Sequence, residues 1–161
     1  MLILINGNIN AGKSTVAKIL TEKIPNTANV EIDSLRHFIA WMPIEESVPL
    51  NLENAASVIN NFAKRKMNVV VNYPLSKKNY EYLVSRLDIP KAEIQVFSLN
   101  PDIQIILNER DGKKAEYYGD RIKHLDAKQI ANPDFGITID SSKLTPEETA
   151  EIILESIKGK K

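Results

Sequence analysis

The chain of 161 residues carries 21 Lys+Arg against 21 Asp+Glu, with two His and no cysteine. That length suits one domain, and the balanced charge argues against an extended nucleic-acid partner held on one large basic face. The missing cysteines exclude disulfides, thiolate nucleophiles and thiolate metal sites. The apolar opening from Met1 to Ile5 is too short for a signal segment. No run approaches the roughly 20 apolar residues of a membrane helix, so the expected place is the cytoplasm.

In chain order, short apolar runs alternate with segments of helical period. Leu2 to Ile5 reads as a buried strand and Gly7 to Ser14 as a loop. A helix follows over Thr15 to Ile24, with Val16, Ile19, Leu20 and Ile24 on one face, and Pro25-Asn26 stops it. Asn29 to Ile32 is a second strand, and a helical stretch from Asp33 ends near Pro43. Leu52 to Lys66 is helical with Ala55, Ile59 and Phe62 inward, and Asn68 to Val71 is a strand that Tyr73-Pro74 closes.

Lys78 to Leu87 reads as a helix and Ile94 to Leu99 as a strand, after which Pro101 starts a helix. Asp111 to Tyr118 is polar and basic, and a helix then runs to about Ile130. Gly136 to Ile139 is the last strand. Thr145-Pro146-Glu147-Glu148 has the pattern of a capping box at the head of a helix reaching Ile157. Strands alternating with helices predict an α/β, three-layer fold with a five-stranded parallel sheet flanked by helices.

Gly7-Asn8-Ile9-Asn10-Ala11-Gly12-Lys13-Ser14 satisfies G-x-x-x-x-G-K-S/T, and Thr15 follows. Glycines let successive amide N–H groups turn towards phosphate oxygens, and the next helix offers its positive end. Lys13 can reach the terminal phosphates, and the Ser14 hydroxyl is suited to Mg²⁺. Lying between an apolar strand and an amphipathic helix, the motif has the context its mechanism needs. Residues 7–15 are therefore read as an ATP-binding P-loop.

A P-loop alone does not choose between switch, motor and kinase. N-K-x-D and D-x-x-G are missing, and the strand Asn68 to Val71 ends in Asn72 rather than an acid. Small-molecule or nucleotide kinases lead.

Glu31 and Asp33 alternate at the end of the second strand. Asp33 is either the carboxylate that orients and deprotonates an acceptor hydroxyl or a helix N-cap. Arg36 is a candidate for binding substrate, against the alternative of a solvated surface residue. Trp41 and Met42 fit core packing better than an acceptor pocket. The basic stretch from Glu109 to Lys128 suits a lid, over about residues 109–121, with Arg110 and Arg121 as its phosphate contacts. A solvated helix of mixed charge is the alternative. The loop Asp140-Ser141-Ser142-Lys143 is a weaker candidate for touching adenine.

Three segments together, MLILINGNINAGKST, VEIDSLRHFIAWMP and GDRIKHLDAKQ, resemble the chloramphenicol phosphotransferase-like family of P-loop kinases. The shared pattern is Asp33-Ser34-Leu35, Met42-Pro43, Gly119-Asp120-Arg121 and Ala127-Lys128-Gln129. The resemblance implies a shikimate-kinase-like fold, ATP as donor, Asp33 facing the acceptor hydroxyl and Arg121 as a lid residue near the phosphates. VEIDSLRH is also similar to a stretch of adenylylsulfate kinases, with Glu31 in place of the first Asp. The chain departs from such relatives at Asn72, where an acid is common.

The expected activity is ATP- and Mg²⁺-dependent phosphoryl transfer to a hydroxyl of a small molecule, with Lys13, Asp33, Arg110 and Arg121 as its working side chains. The other readings are a nucleoside or polynucleotide 5′-hydroxyl kinase and a non-catalytic ATP-binding protein.

Overall fold

Every residue of β1 (Leu2–Gly7) is buried, so both faces of this strand are covered. Side chains alternate across a strand, and the alternation divides the core in two. Leu2 and Leu4 join Val69, Val71, Leu52, Ala55 and Ile59 on one face, while Ile3 and Ile5 join Val70, Phe97, Leu20 and Ile153 on the other. Each fully buried Leu or Ile contributes about 1.5–3 kcal/mol. Leu2 to Ile5 are all 0% exposed and form the centre of the sheet.

The computed structural model describes residues 1–108 and 115–159. The other strands are β2 (Thr27–Glu31), β3 (Asn68–Asn72), β4 (Ile94–Leu99) and β5 (Ile137–Ile139). They form one sheet in the order β2-β3-β1-β4-β5, with every pairing parallel. The helices are α1 (Lys13–Lys23), α2 (Ile32–Leu35), α3 (Ile44–Ala63), α4 (Lys77–Val84), α5 (Ile103–Asn108), α6 (Ala115–Ala127) and α7 (Pro146–Lys158). Buried residues of α1 and α7 pack against one sheet face, and those of α3 and α4 against the other. This is the expected three-layer α/β fold. Among the described residues no helix is long and apolar enough to cross a membrane.

Strand order creates the functional crevice. The chain leaves β1 towards β2 on one side and leaves β3 towards β4 on the other. The neighbouring carboxyl ends of β1 and β3 therefore mark a switch point, where open parallel sheets bind ligands.

Several elements differ from the sequence expectation. Helix α3 begins at Ile44, two turns before Leu52, and contains Pro49. A helix-interior proline removes a hydrogen bond and costs about 3 kcal/mol. Here burial of Ser47, Asn51, Leu52, Ala55, Ala56 and Ile59 along one face opposes that cost. The stretch from Asp33 to Pro43 is not one helix: α2 ends at Leu35, Arg36–Phe38 forms a 3-10 turn, and an irregular segment follows.

Pro101 precedes α5 by two residues. Asp102 is its cap, accepting the Gln104 N–H at 2.7 Å. The capping box at α7 is present, with Thr145 Oγ1 accepting from Glu148 N and the Glu148 carboxylate accepting from Thr145 N. Trp41 does not pack into the core; it is 81% exposed.

Candidate nucleotide and acceptor site

The loop after β1 is shaped by backbone positions that few residues tolerate. Gly7 has φ 142, and a Cβ there would lie 2.6 Å from the Leu99 carbonyl of the adjoining strand. Gly12 caps α1 in the left-handed region at φ 91, and Asn10 holds φ 61, a region asparagine enters more readily than most. These turns end on the N-terminus of α1, where amide N–H groups and the helix dipole favour an anion.

Asparagines fasten the loop to its surroundings. Asn8 is buried; its Nδ2 donates to the Ile122 carbonyl of α6 at 2.9 Å, and its Oδ1 accepts from Ile9 N at 2.7 Å. Asn10 Nδ2 donates to the Ile106 carbonyl of α5 at 3.3 Å. Asn6, fully buried on β1, donates to Ser98 Oγ and to the Ile130 carbonyl, and its Oδ1 accepts from Leu75 N. Lys13 Nζ donates to the Asn8 carbonyl at 2.7 Å, so the ammonium lies back across the loop. Ser14 and Thr15 are exposed at the first turn of α1.

Residues 9–16 line a cleft of about 590 Å³. Glu31, Asp33, Asn72 and Pro74 also line it, as do Ser141, Leu144, Pro146 and Thr149. Parallel pairing of β2 with β3 sets Glu31 beside Asn72, which brings Asp33 to the same sheet edge. Asp33 is not a cap: Glu31 occupies that position of α2, and no side chain caps the helix. Ser34 Oγ donates to the Glu31 carboxylate at 3.2 Å. Asn72 is 4% exposed, and its Nδ2 has no hydrogen-bond partner among the described residues.

Arg36 is exposed on the turn after α2, and Arg121 is exposed on α6. Arg110 and residues 109–114 of the expected lid lie outside the described residues. Ser141, from the loop Asp140-Ser141-Ser142-Lys143, lines the cleft. Among the described residues no group of three or more His, Cys, Asp or Glu could hold a metal ion. A cation in this cleft would rely on Ser14 and on phosphate oxygens, a donor set that suits Mg²⁺.

Tyr73 is a residue that sequence reading passed over. It follows β3 between Asn72 and Pro74 and is 8% exposed. Burial pushes its phenol up to about 12, the charge of Asp33 adds to this, and the charges of Arg121 and Arg36 oppose it. The charges of Asp33, Arg121 and Arg36 thus all reach one phenol. Nothing local in Asn72-Tyr73-Pro74 announces this. It depends on strand register and on the packing of α6.

No protein-family model matches the chain, and no curated protein sequence matches it. Solved structures do. A sugar kinase from Janibacter sp. is 17% identical, with 98% of this chain and 94% of that one covered at a TM-score of 0.72. The APS kinase of Mycobacterium tuberculosis, solved with AMPPNP and APS, is 16% identical over 98% of this chain and 96% of that one, at 0.69. Shikimate kinase from Bacteroides thetaiotaomicron is 15% identical over 98% of each chain, at 0.67. At such identities the likeness is one of fold, and the fold is that of the shikimate-kinase-like P-loop proteins.

Proposed function

We propose that residues 1–161 act as one ATP-dependent kinase domain that phosphorylates a hydroxyl of a small molecule. The observation that carries this reading is a shared cleft: the phosphate loop with Lys13 and Ser14 forms one wall, and Asp33 stands on another. The kinase fold of the solved neighbours agrees with it.

The chemistry follows from those positions. The loop amides and Lys13 hold the β- and γ-phosphates of ATP, and Lys13 leaves the Asn8 carbonyl to do so. Mg²⁺ bound with the nucleotide, with Ser14 as its protein ligand, supplies charge neutralisation on the phosphates. Asp33 orients the acceptor hydroxyl and takes its proton as the oxygen forms a bond to the γ-phosphorus. The bond from that phosphorus to the β-γ bridging oxygen breaks, leaving ADP and a phosphomonoester. Arg121, with Arg110 from the lid, offsets charge on the phosphoryl group in transit, a contribution worth about 10³–10⁵ in related systems.

ATP consumption against a library of hydroxylated metabolites and antibiotics tests the reading. Acceptor-dependent turnover that falls at least about 10²-fold in Asp33→Asn is expected. Full turnover in Lys13→Ala sinks it.

Asn72 favours a second reading, a non-catalytic ATP-binding protein, because the cleft has a neutral amide where an acid would help hold a metal. Tight ATP binding without transfer to any acceptor supports that alternative.

A further inference from the structure

Asn72 ends β3 with a side chain that the fold buries but does not satisfy. The residue is 4% exposed, and its Nδ2 has no hydrogen-bond partner among the described residues. An unpaired buried donor is unfavourable, so its presence calls for an occupant that completes it. The same residue lines the cleft, together with the phosphate loop and Asp33.

Strand geometry places the amide. Side chains alternate along β3: Val69 and Val71 belong to one core cluster, and Val70 to the other, with Val16, Ala17 and Leu20 of α1. Asn72 therefore shares the face of Val70, which α1 covers. Parallel register sets Asn72 beside Ile5, two residues before Gly7, so Asn72 and the phosphate loop leave the sheet at one edge. Lys13 and Ser14, in the first turn of α1, line the same cleft.

The chemistry of the donor selects its occupant. A metal ion takes oxygen lone pairs, and an N–H group has none to give. A metal would leave Nδ2 as unpaired as before. An oxygen carrying negative charge satisfies it, with a bond roughly twice as strong as one between neutral groups. Glu31, the acid beside Asn72 in register, is engaged by Ser34, and Asp33 serves the acceptor hydroxyl in the proposed reaction. The terminal phosphate of the nucleotide remains. Rotation about the Cβ–Cγ bond is soft in asparagine, so the amide can turn its donor towards that phosphate.

We propose that Asn72 Nδ2 donates to an oxygen of the γ-phosphate, so that a side-chain amide selects nucleoside triphosphate over diphosphate. This rests on the nucleotide binding of the kinase reading above. The amide brings no charge to repel the phosphate, and Mg²⁺ is left to Ser14 and the phosphate oxygens.

The test titrates the whole chain with AMPPNP and with ADP by calorimetry, each in Mg²⁺ and in EDTA, for the parent and for Asn72→Val. Loss of one hydrogen bond to a charged group should weaken AMPPNP by at least about 10-fold and ADP by less than about 2-fold. The loss should appear with and without Mg²⁺. Folding does not confuse the result, since removing an unsatisfied donor should leave stability level or higher. Asn72→Ala stands in if the branched side chain does not fit. By NMR of the isotope-labelled parent, the side-chain amide signal that either substitution removes should shift with AMPPNP and stay in place with ADP.

Equal weakening of both nucleotides, no weakening, or an Asn72 signal that ignores AMPPNP each overturn the proposal. So does a loss confined to Mg²⁺, which would make Asn72 a metal residue. Failure of the kinase reading looks different: the triphosphate preference still depends on Asn72 while no acceptor stimulates ATP consumption.

Discussion

The side-chain amide of Asn8 donates to the Ile122 carbonyl at 2.9 Å, tying the second residue of the phosphate loop to the helix that carries Arg121. Ile122 is fully buried, so the anchor is rigid on the side of α6. The phosphate loop and the arginine expected to close on it are thus held by one hydrogen bond between side chain and main chain.

Removing that bond has a definite consequence. Asn8→Ala removes a buried hydrogen bond to a carbonyl that also belongs to the ladder of α6, and should lower stability by about 0.5–1.5 kcal/mol. Urea unfolding measures the loss. Nucleotide titration should show weaker ATP binding in the same variant, because the loop loses its tether.

Gly7→Ala should fail for two separate reasons. Its φ of 142 is unsuited to a side chain, and the added Cβ would stand 2.6 Å from the Leu99 carbonyl. The backbone conformation alone costs about 1–3 kcal/mol, and the clash adds to it. Thermal melting should show a marked drop. A variant that melts like the parent would mean that the loop relaxes.

Asn72→Val makes an opposite prediction. Asn72 Nδ2 is buried without a partner among the described residues, so replacing the amide by an apolar group of similar size removes an unsatisfied donor. Stability should stay level or rise, by at most about 1–3 kcal/mol. A clear loss in denaturant unfolding would reveal a bound partner for that amide.

Lys13→Ala separates binding from folding. The ammonium bonds the Asn8 carbonyl. Its removal should change stability by less than about 1.5 kcal/mol. Phosphoryl transfer should fall by about 10²–10³, the usual loss on deleting one preorganised donor. Steady-state ATP consumption beside a melting curve distinguishes the two effects.

Alkaline titration checks the surroundings of Tyr73. Its phenol is raised from 10.0 to about 12 in the folded chain, mainly by burial. The unfolded chain therefore ionises first. The stability that Tyr73 contributes is complete below pH 10 and is lost as pH rises towards about 12. In a difference titration, Tyr73→Phe should remove only the latest phenolate to appear. Loss of an early phenolate instead would place Tyr73 in water.

The limits of sequence reading can be traced to particular residues. Ile94 to Leu99 was legible to the residue as a strand, because a short run rich in Ile, Val, Phe and Leu lies between Pro90 and Pro101. Helix α3 was legible only in its second half. Pro49 argues locally against a helix, and the burial that outweighs it comes from partners distant in sequence. Trp41 was misjudged by the same logic, since its size suggests burial and its position on an irregular segment leaves it exposed.

The sequence by itself determined the phosphate loop, the alternation of strands and helices, and the position of Asp33 just after the second strand. These are local matters, set by glycine conformation, apolar period and the order of elements along the chain. Only the tertiary structure decided that the charges of Asp33, Arg36 and Arg121 act on the Tyr73 phenol. That meeting depends on the parallel register that sets Glu31 beside Asn72 and on the tie from Asn8 to Ile122. Both are contacts between residues far apart in sequence, and no local preference encodes them.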